Sequence, residues 1–270
     1  MHLINGQEQS QISILDRGLL YGDGLFETIW VHQGKAFYFA DHLHRLQNGC
    51  ERLAIPAPSS ETLLTEIEQL CSDQQGILKI IITRGIGERG YRSPEKINCS
   101  RIVSFFPENQ PQIANHKLSI IKARICKTRL SQQINLAGIK HLNRLENVMA
   151  RSEWQTADIM EGIMLDTDEQ VISGTMTNLF LIKEGILYTP EIKTSGIKGI
   201  AREQILRYCD NHRIPCYETK ITLKQLLNAD EFFFCNSIQG FWAVKEIEGH
   251  DKQFSTEFIQ HYLKQALIFC

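Results

Sequence analysis

Residues 138–151 read Gly-Ile-Lys-His-Leu-Asn-Arg-Leu-Glu-Asn-Val-Met-Ala-Arg. The spacing predicts a helix just after Lys140: Leu142, Leu145 and Met149 recur at three- and four-residue steps, so one apolar face is expected to turn to a core. Asn143, Arg144 and Glu146 lie off that face. A lysine near a helix N-terminus feels the positive end of the backbone dipole, which disfavours its ammonium form. An amine so disposed acts as a nucleophile and forms a Schiff base with an aldehyde. Taken alone, the pattern competes with an ordinary solvated lysine. The flanking Ala137, Gly138 and Ile139 are small and apolar for an exposed loop, and they favour the chemical reading slightly.

Composition sets the limits around this stretch. At 270 residues the chain holds one large domain or two of ordinary size, and 43% hydrophobic with 22% charged residues is the balance of a globular protein. A formal net charge of −2 gives no basic field for nucleic acid or an anionic membrane, so any anion has to be bound by a local constellation. No cationic-then-apolar leader and no apolar run of roughly 18 residues is present, and a cytoplasmic location is expected. Eight cysteines are scattered without a Cys-x-x-Cys pair, which points to reduced thiols, and no His/Cys cluster has the spacing of a metal site.

Outward toward the N-terminus, Leu3–Asn5 reads as a strand and Gly18, Gly22 and Gly24 as tight backbone. Phe26–Val31 reads as a strand rich in β-branched residues. Asp41–Leu53 is expected to be a helix with Leu43, Leu46, Cys50 and Leu53 on one stripe. Ser60 is expected to cap a second helix that turns Leu63, Leu64, Ile67, Leu70 and Cys71 inward. Ile77–Thr83 reads as a strand buried on both faces. It runs into Thr-Arg-Gly-Ile-Gly-Glu-Arg-Gly-Tyr (83–91), where no helix follows and a dinucleotide site is excluded; a substrate loop or a charged hairpin tip remains. Residues 107–116, polar with two prolines, read as a linker between domains 1–106 and 117–270. Residues 162–190 read as short strands joined by turns, interrupted by a small polar segment, Ser173–Asn178, of the kind that passes close to a ligand. Ser195–Arg202 leads into a helix whose first amides form an anion site.

Seven blocks occur in order: Asp-Arg-Gly-Leu-Leu-Tyr-Gly-Asp-Gly-Leu-Phe-Glu-Thr (16–28), His-Leu-His-Arg-Leu (42–46), residues 83–91, Gly-Ile-Lys-His-Leu-Asn-Arg-Leu-Glu (138–146), Thr-Asn-Leu-Phe (177–180), Gly-Ile-Lys-Gly-Ile-Ala-Arg (196–202) and Ala-Asp-Glu-Phe-Phe-Phe-Cys-Asn-Ser (229–237). Together they resemble the aminodeoxychorismate lyases, pyridoxal-phosphate enzymes of fold type IV, a group that also holds D-amino-acid and branched-chain aminotransferases. The resemblance implies an α+β fold of two domains with the active site in the cleft between them. It implies a homodimer, pyridoxal 5′-phosphate as cofactor, and aminodeoxychorismate as substrate, cleaved to 4-aminobenzoate and pyruvate in folate biosynthesis.

Residue by residue, the resemblance implies that Lys140 carries the cofactor and acts as base, with Thr28 as a hydroxyl at the departing group. It implies that Arg45, Ser237 and the amides of Ile200 and Ala201 hold the phosphate. It places Arg89 and Tyr91 at a substrate carboxylate, and Arg144, also counted with the substrate residues, where branched-chain relatives put a tyrosine near the cofactor's phenolic oxygen. One position departs from the pattern. Relatives set a glutamate against the pyridine nitrogen, and Ser173 stands there, able to hydrogen-bond but not to supply a counter-charge. That argues against an aminotransferase, and it leaves open a weakly active or non-catalytic cofactor binder.

Overall fold

A sheet that carries its core on one face needs apolar residues at every second position, and the first part of the chain supplies them. The computed structural model describes residues 1–108, 118–263 and 266. The chain divides into two compact units, Met1–Pro111 with Ile139–Asn143, and Gln112–Gly138 with Arg144–Cys270. Helices and strands mix in two separate sheets, the α+β arrangement expected. The expected linker lies, from residue 109 on, outside the described residues.

The first unit contains β1 (His2–Ile4), β2 (Gln7–Glu8), α1 (Arg17–Tyr21), β3 (Gly24–His32), β4 (Lys35–Ala36), α2 (Phe39–Leu53), α3 (Ser60–Cys71), β5 (Gly76–Thr83) and β6 (Ser100–Pro107). Its strands are ordered β2-β1-β6-β5-β3-β4, and all neighbours are antiparallel. β5 is not buried on both faces. Leu78, Ile80 and Ile82 are buried, while Ile77, Lys79 and Ile81 are only half-buried. An antiparallel sheet readily packs one face and leaves the other more open, and a lysine at the centre of the strand marks the open one. On the closed face α2 lies against β3, where Gly49 is in α2 because a Cβ there would meet Leu25 Cδ2 at 2.8 Å. The cap of α3 is Ser59, whose hydroxyl accepts from Thr62 N, rather than Ser60, and Leu64 is exposed instead of inward.

The second unit contains β7 (Ser119–Leu130), α4 (Leu145–Arg151), β8 (Ile159–Asp166), β9 (Val171–Gly174), β10 (Asn178–Lys183), β11 (Ile186–Pro190), α5 (Ile200–Asn211), β12 (Cys216–Thr219), α6 (Leu223–Asn228), β13 (Glu231–Asn236), β14 (Gly240–Ile247) and a π-helical turn, Ile259–Leu263. The sheet order is β12-β11-β10-β13-β14-β7-β8-β9. The pairs β11/β12, β14/β7 and β7/β8 are parallel and the rest antiparallel. Here both faces are covered. Leu179, Leu181, Phe232 and Phe234 enter one apolar cluster, and Phe180, Ile182 and Phe233 enter another with Ala201, Ile205 and Cys209 of α5. Alternate residues of one strand point to opposite faces, which is why β10 and β13 read as continuous apolar runs.

α4 departs from expectation in two ways. It begins at Leu145, five residues beyond Lys140, and Arg144 is its N-cap residue. A helix terminus acts over its first turn, so the dipole does not reach the lysine. The expected core stripe also faces outward, with Leu145 75% and Met149 61% exposed, while Ala150 is the residue of α4 that is buried.

Candidate active site

In the first unit, residues 140–142 pair with the start of β3. Phe26 N donates to Lys140 O at 2.9 Å, Leu142 N donates to Gly24 O at 3.0 Å, and Leu25 and His141 form an antiparallel bridge. The dense glycines of block 16–28 make room for this approach. A Cβ on Gly24 would lie 2.4 Å from Ile82 O and 2.9 Å from Leu142 Cδ1. Gly22 closes α1 in the left-handed region (φ 64°), and its carbonyl accepts from Asn143 Nδ2 at 3.1 Å. The lysine is therefore held through its backbone against a central strand rather than by a helix.

Lys140 is half-buried, and its Nζ stands 4.4 Å from the centroid of the Phe26 ring. The Nζ of Lys79 stands 5.7 Å from the same centroid. Thr28 is the register partner of Lys79 and lies two residues from Phe26, so it shares their face of the sheet. Thr28 and Lys140 are thus brought to one face, with a second lysine, Lys79 of β5, that sequence reasoning had not singled out.

Glu27 points to the opposite, helix-covered face and is fully buried. Its Oε1 accepts from Arg45 Nε at 2.8 Å, and its Oε2 accepts from Arg45 Nη2 at 2.5 Å and lies 2.6 Å from His42 Nδ1. Burial pushes the Glu27 carboxyl up, but the charge and hydrogen bonds of Arg45, with the bond from His42, bring it down to about 2. Burial holds His42 below its ordinary value, against the pull of Glu27, so the ring is neutral at neutral pH with Nδ1–H donating to the carboxylate. Arg45 is thereby fixed in orientation by a bidentate pair.

The loop after β5 is anchored on α1. Arg17 Nη1 donates to the carbonyls of Gly90 (3.0 Å) and Arg92 (3.2 Å), and Nη2 donates to Tyr91 O at 3.1 Å. Asp23 ties Arg17 to Arg84, each Nε at 2.8 Å from Oδ2, and these guanidiniums hold its carboxyl below the usual range although burial opposes them. Arg89 is exposed. Tyr91 is 86% exposed and meets the Tyr21 ring edge-on at 5.3 Å.

In the second unit, Ser173 is buried on β9, and its hydroxyl donates to Gly174 O at 2.8 Å. The segment after it is organised by a residue that sequence reasoning missed, Glu161 of β8, which is fully buried. Oε1 accepts from the amides of Gly162 (2.8 Å) and Thr175 (3.0 Å) and from Thr175 Oγ1 (2.5 Å). Oε2 accepts from Thr177 Oγ1 at 2.9 Å and from Met176 N at 3.4 Å. Gly174 is required beside it, since a Cβ would meet Glu161 Oε2 at 2.8 Å and Thr177 Oγ1 at 2.1 Å. Asn178 then reaches the turn before α5, donating to Ile197 O at 2.9 Å and accepting from Gly199 N at 3.0 Å.

α5 starts with no side-chain cap, and the buried Ile200 and Ala201 occupy its first turn, leaving their amides available to an anion. Ser237 is half-buried in the β13–β14 turn, and its hydroxyl makes no hydrogen bond to a described residue. Arg144 Nη1 lies 3.4 Å from Asn147 Oδ1, and burial pulls its pKa down to about 10, so it remains cationic at neutral pH. The missed residues share one signal in the sequence. Glu27, Lys79 and Glu161 are each a charge set among apolar strand residues, and such a charge needs a partner or a task.

Comparison with known proteins follows the same lines. The class IV aminotransferase profile matches residues 24–247. The chain is 32% identical over 255 residues to an aminodeoxychorismate lyase of Vibrio harveyi, covering 94% of this chain and 93% of that one. It is 29% identical over 256 residues to a D-alanine aminotransferase of Bacillus licheniformis, covering 92% and 88%. Among solved structures, the 4-amino-4-deoxychorismate lyase of Pseudomonas aeruginosa superposes with a TM-score of 0.89 at 38% identity, over 98% of this chain and 97% of that one. A branched-chain aminotransferase of Escherichia coli shares the fold, with a TM-score of 0.81 at 22% identity over 96% and 90%.

Proposed function

The chain belongs to the class IV aminotransferase family, and we propose that within it the protein is a pyridoxal-phosphate-dependent lyase, converting 4-amino-4-deoxychorismate to 4-aminobenzoate and pyruvate. The observation that carries this reading is near-full-length identity of 32% and 38% to two lyases, against 29% to the aminotransferase relative of Bacillus licheniformis.

The donor set fits a phosphorylated pyridoxal. Lys140 offers a half-buried amine, Arg45 a fixed guanidinium, Ile200 and Ala201 uncapped helix amides, and Ser237 a hydroxyl. Lys140 would hold the aldehyde end and the other four the phosphate. When bound, the cofactor supplies an electron sink for the amine-bearing carbon of the substrate. Lys140 takes the proton from that carbon, the C–O bond to the enolpyruvyl group breaks, and the ring becomes aromatic. Thr28, on the face of Phe26, orients or protonates the departing group; Arg89 and Tyr91 serve the substrate's carboxylate, and Arg144 would serve the substrate beside the cofactor's phenolic oxygen. Positioning of this kind lowers a barrier by several kcal/mol.

Ser173 tilts the balance between reactions. Its hydroxyl carries no charge, and Glu161, the buried acid of the same segment, is taken up by five donors. Without a counter-charge the ring nitrogen makes a weaker electron sink. Amino transfer suffers more than an elimination driven by formation of an aromatic ring.

The outward apolar side chains, Ile14, Leu15 and Leu19 in the first unit and Leu145, Val148 and Met149 in the second, support a homodimer. Seven free thiols among the described residues suit the cytoplasm. Among those residues no helix is long and apolar enough to cross a membrane. Incubation of the pure protein with aminodeoxychorismate tests the activity. Pyruvate and 4-aminobenzoate in equal amounts are expected. Keto-acid-dependent amino transfer in their place would make it an aminotransferase, and neither reaction would leave a cofactor binder.

A further inference from the structure

Two cysteines to which the proposed reaction gives no task meet in the second unit, at the C-terminal end of α5. Cys209 is buried in the last turn of that helix, and Cys216 is half-buried on the edge strand β12. Both pack in the apolar cluster that α5 shares with β10 and β13. The turn between them is fixed by its backbone. Ile214 N donates to Cys209 O at 2.8 Å, Arg213 passes through the left-handed region (φ 55°), and Leu187 N donates to Pro215 O at 2.9 Å, with Cys216 in register with Leu187. Two helical turns back, Arg202 reaches from α5 to Glu218 of β12, so helix and strand are tied on both sides of the two sulfurs. The thiols are hydrogen-bonded to each other. That bond draws Cys209 below its ordinary value although burial opposes it, and with burial it pushes Cys216 up. The two titrate as a pair, in which the first proton leaves more easily than the second. No other described thiol is placed this way: burial pushes up Cys50, Cys71, Cys126 and Cys235, and Cys99 donates to the carbonyl of Pro56.

We infer that Cys209 and Cys216 form a thiol modification site for low-molecular-weight disulfides: Cys216 takes the reagent, and Cys209 resolves the adduct into an intrachain disulfide. Access sets the order, because the half-buried sulfur meets the reagent and the buried one does not. From the pair carrying one proton, Cys216 attacks one sulfur of the reagent as its proton crosses to Cys209. The reagent's S–S bond breaks, and a first thiolate leaves and is protonated by solvent. Cys209 then attacks Cys216 Sγ, and its proton goes with the second departing thiol. Two protein thiols are oxidised by two electrons, and one reagent disulfide is reduced to two thiols. Exchange with free thiol reverses the bridge, so Cys216 is kept from the irreversible steps of sulfur oxidation.

The test uses the folded full-length protein and glutathione disulfide as the probe. After incubation, free thiols are alkylated, and the protein is digested with trypsin and mapped by mass spectrometry. Trypsin cuts after Arg207, Arg213 and Lys220, so the bridge joins peptide 208–213 to peptide 214–220. In wild type the joined peptides are expected as the main product at these two cysteines, and dithiothreitol should separate them. In Cys209→Ser the reaction should stop at a glutathione adduct on Cys216. In Cys216→Ser, Cys209 should take up glutathione about tenfold more slowly than Cys216 does in Cys209→Ser. A lasting adduct on Cys216 in wild type without joined peptides overturns the inference, as does no modification of either cysteine. Equal rates for the two single thiols overturn the assigned order. If the variants do not fold, wild type decides in a glutathione redox buffer. The ratio of bridged to adduct-bearing protein should be about tenfold higher in the folded protein than in urea, and an equal ratio overturns the inference. The readout involves no cofactor, so it stands apart from the assay of the lyase reaction.

Discussion

Two of the buried carboxylates, Glu27 and Glu161, are held by opposite means. Glu27 in the first unit faces cations or their donors, Arg45 and His42. Glu161 in the second faces only neutral donors, three amides and two hydroxyls from Gly162 and Thr175–Thr177. The first arrangement fixes the direction of a guanidinium; the second fixes the path of a backbone segment that continues through Asn178 to the start of α5. A charge pair is sensitive to proton concentration and to loss of either partner. A cage of amides is sensitive mainly to the shape and acceptor count of what it encloses.

The largest expected effect separates them directly. Glu27→Gln leaves Arg45 with its buried counter-charge gone and should cost about 3–5 kcal/mol in urea unfolding. A loss below about 1 kcal/mol would mean that the pair contributes nothing beyond packing. Next comes acid. The Glu27 carboxyl is held near 2 against an ordinary 4.5, so its stabilisation is present above pH 4.5 and is lost as pH falls toward 2, about 3 kcal/mol in all. His42, a base held below its ordinary 6.5, adds a loss of the same sign that begins as pH falls below 6.5. Unfolding followed across this range should show the slope in wild type and a flatter curve in Glu27→Gln; parallel curves would remove Glu27 as the source. The smallest effect is at Glu161→Gln. The amide turns its NH2 toward groups that donate, and about 1–3 kcal/mol should be lost with little change in the acid slope. A change of slope matching that of Glu27→Gln would erase the contrast.

Much of this was legible without coordinates. Phe26–Val31, Asp41–Leu53 and Ser195–Tyr208 announced β3, α2 and α5, because periodicity and glycine placement report local backbone directly. What covers an apolar stripe is not local. Leu145 and Met149 have helical spacing, and the helix is there, but the stripe turns outward and supports the proposed subunit contact in place of a core. Glu27 meets its partners 15 and 18 residues along the chain, and Lys79 faces Thr28 only through the β3–β5 register. Such pairings are set by tertiary geometry. In sequence they leave only a charge where a strand should be apolar. The Lys140 segment illustrates both sides: Gly-Ile-Lys-His-Leu-Asn singled out the lysine proposed for the cofactor, while its backbone support, pairing to Gly24–Phe26, was not legible there.

The account depends most on the proposed covalent bond between Lys140 and the cofactor. The protein is saturated with pyridoxal phosphate, reduced with borohydride, digested and mapped by mass spectrometry. A single modified peptide is predicted, carrying the phosphopyridoxyl group on Lys140. Modification at Lys79, Lys198 or another lysine instead, or no stable label at all, would contradict it.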